Sequence, residues 1–378
     1  MYTLRWRPAL PALVLLGAVV APTAVLAQAG LYLTPSFSIT EAYNNNIFYT
    51  SSDRKADFLT RFSPGVLAGY ESAPLTLAGG YTFDTEMFAQ LSELNTATAR
   101  QKATISFRYL PTRLLNLSAK GEYAETQTPG ELNVLSGLPA GRVRAQRFLL
   151  DPSIAYRFDP LTTGTLGYTF TRDEVRSAVT TDTHTVKAAL NRQITSRDAG
   201  EFEYTSNSFV FGVGGTTKAH VFTLGWTREL TPLLSFTLRA GPRFSDGSVN
   251  PEVSATIRRK LKAGEVSLVS SRSQTTVIGE AATVTTDSVA LVAKYKFLPF
   301  LELSASPSFF RTKLASSEAK VSRVKVDATF EVTKWLSLVG SYEFSFQKGS
   351  LDRARPRDEI SQNLILLRLV ATNRFRLY

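Results

Sequence analysis

Leu336-Ser337-Leu338-Val339-Gly340-Ser341-Tyr342-Glu343-Phe344-Ser345-Phe346-Gln347 is the stretch that decides the fold. Leu336, Leu338, Gly340, Tyr342, Phe344 and Phe346 fall on one face of an extended chain, and Ser337, Val339, Ser341, Glu343, Ser345 and Gln347 on the other. A helix would scatter these residues around its circumference, so the period is two and the segment is a strand. The same alternation recurs along the chain. Leu75, Leu77, Gly79, Tyr81 and Phe83 oppose Thr76, Thr82 and Asp84; Val324, Val326, Ala328 and Phe330 oppose Arg323, Lys325, Asp327 and Glu331. Val289, Leu291, Ala293, Tyr295 and Phe297 oppose Ser288, Lys294 and Lys296.

Connections between these runs alternate in length. Tight turns at Leu110–Leu114, Phe158–Leu161, Leu230–Leu233, Leu298–Leu301 and Val332–Leu336 are rich in Leu, Pro and Thr. The alternate connections are longer and polar: Asn44–Ala56, Ala89–Arg100, Thr126–Ala145, Arg176–Thr181, Thr276–Val284, Thr312–Lys320 and Gln347–Glu359. Amphipathic strands closed by short turns at one rim and longer loops at the other are what a transmembrane β-barrel requires. The expected fold is all-β, an antiparallel up-and-down barrel of outer-membrane type with about 18 strands, 16 and 20 bracketing the count. Ala199–Phe211 and Glu265–Thr276 are weakly patterned and set that margin. Short turns belong to the periplasmic rim and long loops to the outside, so both termini are periplasmic and the count is even. Tyr70, Tyr109, Tyr156, Phe158, Phe297, Phe300 and Trp335 would form the periplasmic aromatic girdle. A soluble β-sandwich explains local alternation equally well, but not so many consecutive hairpins of similar length.

The chain begins with Arg5 and Arg7, an apolar stretch from Leu10 to Val20, and Val25-Leu26-Ala27. That stretch is too short to cross a bilayer as a helix and reads as a signal peptide, residues 1–27, cleaved after Ala27. Residues 28–378 then form one barrel domain, exported to the outer membrane of a Gram-negative bacterium. Mean hydropathy close to zero fits a barrel, because polar lumen residues cancel apolar lipid-facing ones. Cysteine is absent, which excludes disulfides, thiolate metal sites and haem attachment through paired cysteines. The formal charge is +11, or +9 without Arg5 and Arg7. Such a balance suits nucleic acid, anionic lipid or an anionic solute, and export sets nucleic acid aside.

Glu41-Ala42-Tyr43-Asn44-Asn45-Asn46-Ile47-Phe48, followed by Asp57-Phe58-Leu59-Thr60-Arg61-Phe62-Ser63-Pro64-Gly65, resembles the opening of the outer-membrane β-barrel porin-2 family. Ile360-Ser361-Gln362-Asn363-Leu364-Ile365-Leu366-Leu367-Arg368-Leu369 looks like that family's closing strand. Ala42 stands where an acidic residue is commoner, and the terminal Tyr378 where Phe is usual. Between the two ends the likeness is architectural only. The resemblance, which extends to Wzp-type exopolysaccharide-secretion porins, implies a terminal conduit for polysaccharide export. Its partners would be a Wza-class periplasmic export protein and a polysaccharide co-polymerase. The alternative is a general or solute-selective diffusion porin for uptake.

A Lys or Arg facing lipid at mid-bilayer costs about 2–4 kcal/mol, so the charged faces point inward. Pore-lining candidates are Arg61, Lys102, Arg108, Lys120, Arg157, Lys187, Arg239, Arg243, Arg258, Lys294, Lys296, Arg323, Lys325 and Arg368. Glu71, Asp84, Glu86, Glu122, Asp151, Glu252, Asp327, Glu331 and Glu343 are their acidic counterparts. Either these charges pair across strands and brace the wall, or they give the lumen a mild positive bias. Phe310 is a rare inward aromatic.

Catalytic constellations are thin, and neither an enzyme nor a cofactor is expected. His184, beside Asp182, and His220 read as two solvated loop residues. Glu201 and Glu203 share one strand face about 7 Å apart, a spacing open to glycoside hydrolysis but commoner as ordinary wall carboxylates. Gly212–Lys218 lacks phosphate-loop spacing and no helix follows it. The loop Thr126–Ala145, with Pro129, Gly130, Gly137, Pro139 and Gly141, either folds inward as a constriction or lies over the outer mouth. Its apolar members Leu132, Val134, Leu135 and Leu138 tolerate the first.

Overall fold

The computed structural model describes residues 30–176, 178–315, 317–351 and 359–377. The expected signal peptide lies outside the described residues, as do most of the last loop and Tyr378. The strands in chain order are β1 Gly30–Asn44, β2 Asp57–Glu71, β3 Leu75–Phe88, β4 Thr96–Tyr109, β5 Leu115–Thr126, β6 Ala145–Asp159 and β7 Thr162–Val175. They continue with β8 Thr181–Gln193, β9 Asp198–Phe211, β10 Thr216–Thr231, β11 Leu234–Ser245, β12 Ser248–Leu261, β13 Gly264–Thr276 and β14 Thr283–Leu298. The last are β15 Leu301–Ala305, β16 Ser308–Leu314, β17 Ser317–Glu331, β18 Leu336–Ser350, β19 Glu359–Thr372 and β20 Phe375–Leu377.

These segments make eighteen crossings of one closed wall. β15 and β16 are two halves of a single crossing: both pair with β14 on one side and β17 on the other. The break falls at Ser306-Pro307, where proline has no N–H to give. β20 prolongs β19 past a two-residue gap and, like it, pairs with β1. Every neighbouring pair is antiparallel, and β1 closes the ring by pairing with β2 and β19. The weakly patterned stretches are the full strands β9 and β13; β9 is held along its length by both neighbours, and β13 by β14 throughout and by β12 from Gly264 to Arg272.

The two terminal motifs meet at the closing seam. Asn46 is fully buried; its Nδ2 donates to the carbonyls of Thr50 (2.9 Å) and Ser361 (3.1 Å). Asn363 N donates to Asn45 Oδ1 at 2.7 Å, and Gln362 Nε2 donates to Asn46 O at 2.8 Å. The asparagine run thus ties the first hairpin to the last long strand.

Alternation along the strands separates an apolar face from a polar one. Leu224, Ile105, Leu166, Ile365 and Leu367 are all more than half exposed, as side chains facing lipid are. Expected girdle members Phe158, Phe297 and Trp335 are likewise exposed at the short-turn rim. Two expected loops are shorter than their polarity suggested. β16 and β17 run through most of Thr312–Lys320, and β18 extends to Ser350. Their charges sit at the rim, where a polar side chain facing outward still reaches water. The connection Asp246-Gly247 on the loop side is also tight, with φ of +49° and +73°, the geometry of a two-residue hairpin turn.

Leu224 lies at the middle of β10 and is 70% exposed. Leu224→Arg should destabilise the membrane-inserted barrel by about 2–4 kcal/mol in denaturant titrations from lipid vesicles, and Thr227→Arg on the opposite face by less than about 1 kcal/mol.

Candidate pore and its constriction

Register places all fourteen basic candidates on the face opposite the exposed apolar residues. Arg61 lies opposite Glu86, Lys102 opposite Thr82, Arg108 opposite Ser118, Lys187 opposite Gly167 and Arg239 opposite Ser254. Eight of them have carboxylate partners. Arg61 meets Glu86 at 2.7 Å, Lys102 meets Glu122 at 3.2 Å, Lys187 meets Glu203 and Arg239 meets Glu201 at 2.8 Å. Arg243 meets Glu252 at 2.7 Å, Arg258 meets Glu265 at 3.3 Å, Arg323 meets Glu343 at 3.3 Å and Lys325 meets Asp327 at 3.5 Å. Arg108, Lys120, Arg157, Lys294, Lys296 and Arg368 have no carboxylate within ion-pair range among the described residues. All six lie in the half of the wall nearer the short turns.

Glu201 and Glu203 each hold a separate cation, which neutralises both carboxylates and leaves no poised acid–base pair. The histidines differ from expectation. His184 is on β8 and His220 on β10, both on the lipid-facing side. Nδ1 of each is hydrogen-bonded to a tyrosine hydroxyl, Tyr168 at 2.8 Å and Tyr204 at 2.9 Å, and the His220 ring stacks on Tyr204. They are members of the outer aromatic girdle, where amphipathic rings suit the interface.

Residues 127–144, between β5 and β6, cross the lumen. On the near wall Glu86, 2% exposed, gathers Arg61, Arg100 and Arg142, the last two at 2.9 and 2.7 Å. Arg142 comes from the loop itself and also lies over the Phe88 ring, 4.9 Å from its centroid. Arg100 pairs in turn with Glu131 of the loop, and Arg147 Nη1 donates to Leu132 O at 2.7 Å. Partial loss of water would raise the Glu131 carboxyl, but the Arg100 guanidinium and the Thr128 hydroxyl hold it below the usual carboxylate range. The anchor therefore contributes at neutral pH and fades only as pH falls through that lowered value.

The loop then reaches the opposite wall. Asn133 Oδ1 accepts from Ile278 N, in the connection between β13 and β14, at 2.9 Å, and Thr312 Oγ1 of β16 donates to Ser136 O at 3.1 Å. Arg323 Nη2 donates to Gly137 O at 3.3 Å. Leu138 packs with Val277, Val284, Ala319, Val321 and Leu351, and Phe310 borders that cluster. Gly137 has φ +63°, and a Cβ there would sit 2.3 Å from the Phe310 ring, so only glycine fits. This contact explains the inward aromatic. β5–β6 and β16–β17 lie ten crossings apart in one direction and eight in the other, close to diametrically opposed. Val134 and Leu135, 69% and 64% exposed, remain uncovered on the span. Of the two placements the sequence left open, the loop takes the inward one. Sequence reasoning missed Arg100, Arg142, Arg147 and Glu131, whose role exists only once the loop is inside.

No family model matches the chain, and no curated protein matches its sequence. Solved structures do match in shape. OccAB4 of Acinetobacter baumannii aligns over 91% of this chain and 98% of its own, with TM-score 0.50 and 11% identity. OpdQ of Pseudomonas aeruginosa aligns over 92% and 99%, with TM-score 0.49 and 13% identity. An anion-selective porin of Comamonas acidovorans aligns over 92% and 100%, with TM-score 0.43 and 13% identity. The likeness is one of fold: a closed antiparallel barrel of the outer-membrane porin type. The porin-2 resemblance, and the export machinery it implied, rest on the terminal motifs alone.

Glu86→Gln leaves three guanidinium groups without their shared carboxylate. It should destabilise the folded barrel by about 3–5 kcal/mol and raise single-channel conductance as the loop is released. An unchanged conductance with unchanged stability would contradict the anchoring role.

Proposed function

We propose that this chain is a solute-selective outer-membrane diffusion porin that admits small polar solutes and favours anionic ones. The observation that carries the reading is the crossing loop. A span fixed to both walls by buried ion pairs, hydrogen bonds and an apolar cluster narrows the lumen, which favours small molecules over a polymer. A polymer conduit needs the opposite, a clear bore along its whole length. The six basic candidates without carboxylate partners among the described residues add a positive field below the constriction. Weak, repeated attraction of that kind speeds passage without trapping the solute. The fourteen basic candidates then divide into wall braces and field-setting groups, with Arg323 also holding the loop.

Polysaccharide export, with a Wza-class protein and a co-polymerase in the periplasm, is the second reading, supported by the terminal motifs. It requires the loop to leave both walls. The two readings separate in planar bilayers. The purified chain alone should conduct, and a KCl gradient should give a reversal potential of the sign for anion preference. Replacing Arg108, Arg157, Lys294 and Lys296 together by Gln should move that potential toward cation preference. A chain that does not conduct by itself, in a strain whose deletion loses surface polysaccharide, would overturn the uptake reading in favour of export.

A further inference from the structure

One row of side chains on the outer face stands apart from the rest of the lipid-facing surface. Arg272, Asp287, Arg311, Lys320, Lys348 and Glu359 are successive cross-strand partners on β13, β14, β16, β17, β18 and β19. Three cations, Arg311, Lys320 and Lys348, therefore face one another directly across neighbouring strands. Like charges in that relation repel and destabilise a sheet unless something neutralises them. Arg272 has Asp287 at 3.4 Å and Lys348 has Glu359 at 3.1 Å. Glu318 serves Arg311 at 2.7 Å, Lys320 at 3.2 Å and the neighbouring Lys313 at 3.8 Å. Five cations thus share three carboxylates among the described residues. At another part of the same outer rim the balance is even or reversed: Arg144 meets Glu125, and Arg172 meets both Glu174 and Asp182.

The row sits where a headgroup would. Asp287 is four residues from the loop-side end of β14, roughly 13 Å down the strand. Immediately beneath Arg272, Asp287 and Arg311 is an outward groove of about 290 Å³, walled by Val253, Val289 and Phe309. Val289 and Phe309 are cross-strand partners, 44% and 42% exposed. A cationic shelf over an apolar groove, both open to the bilayer, matches a molecule with an anionic head and an acyl tail. Phosphate suits the shelf better than carboxylate does. Its three acceptor oxygens can bridge guanidinium and ammonium groups on adjacent strands at once.

We propose that this face binds a phosphorylated lipid of the outer leaflet, its phosphate across Arg311, Lys320 and Lys348 and an acyl chain in the groove below. The lipid neutralises the repulsion within the row and fixes the rotational setting of the β13–β19 arc in the membrane.

The test uses the full chain purified in detergent, with bisphosphorylated lipid A as the probe and native mass spectrometry as the readout. Arg311→Gln/Lys320→Gln should lower lipid A occupancy roughly tenfold or more, while Arg172→Gln on the opposite arc leaves it unchanged. Melting supplies an independent check with a sign reversal. Without lipid the double variant should be at least as stable as the native chain, because repulsion is relieved. With lipid A the native chain should gain stability that the variant does not. Equal lipid A occupancy in both proteins would overturn the proposal. So would phosphatidylcholine binding as well as lipid A, or inorganic phosphate alone reproducing the stabilisation, which would make the shelf a site for free anions.

Discussion

A backbone N–H or C=O left unpaired in hydrocarbon costs several kcal/mol, so a sheet can stand in a bilayer only if it has no edge. Everything in this molecule follows from that demand. β1 must find β19, and the strands between must alternate in direction without a break. The closing contact is not left to the ladder alone. Buried Asn46, with Asn44 and Asn45, ties the first hairpin to Ser361, Gln362 and Asn363, the last strand to join. Ends far apart in sequence carry matching polar groups because they are neighbours in the wall.

Closure makes an interior, and the loop of residues 127–144 then divides it. Its anchors are of two kinds. Near β3 and β4 they are charged, converging on Glu86, where a buried carboxylate is tolerable only because three arginines surround it. At β16 and β17 they are apolar and directional, with Leu138 in a cluster and Thr312 and Arg323 hydrogen-bonded to the loop, while Ile278 N of the β13–β14 connection donates to Asn133. Breaking either side leaves the loop held by the other alone. The loop is therefore part of the wall's own ion-pair system, and the basic residues without a carboxylate partner among the described residues lie on the short-turn side of it.

Much of this was legible in sequence. Period-two alternation located the strands, and the Leu- and Pro-rich turns gave the short rim. Alternation also placed Arg61, Arg239 and Lys294 on the inner face, since inner and outer positions simply take turns. What alternation could not reveal is which cations are neutralised, because that depends on partners one strand away whose height is set by register. Ser- and Thr-rich β13 has polar residues on both faces and gains its identity from β12 and β14. The loop's course was not readable either. Arg142 is 56 residues from Glu86, and Gly137 is far from Phe310 in sequence; only closure of the barrel makes these pairs neighbours. His184 and His220 were misplaced for a related reason. They fall near loops, but each has a tyrosine on the adjacent strand that holds it in the outer girdle.

The loop spans the lumen and rests on the far wall. The chain has no cysteine, so a pair can be introduced without interference. Leu138→Cys with Val321→Cys joins the loop tip to β17 through one apolar cluster. In the membrane-inserted protein, oxidation or a short bis-maleimide should link the two residues, recovered as one cross-linked peptide by mass spectrometry. Failure to link them, while Leu138→Cys is freely labelled from outside the cell, would mean that the loop lies over the mouth and the lumen is open.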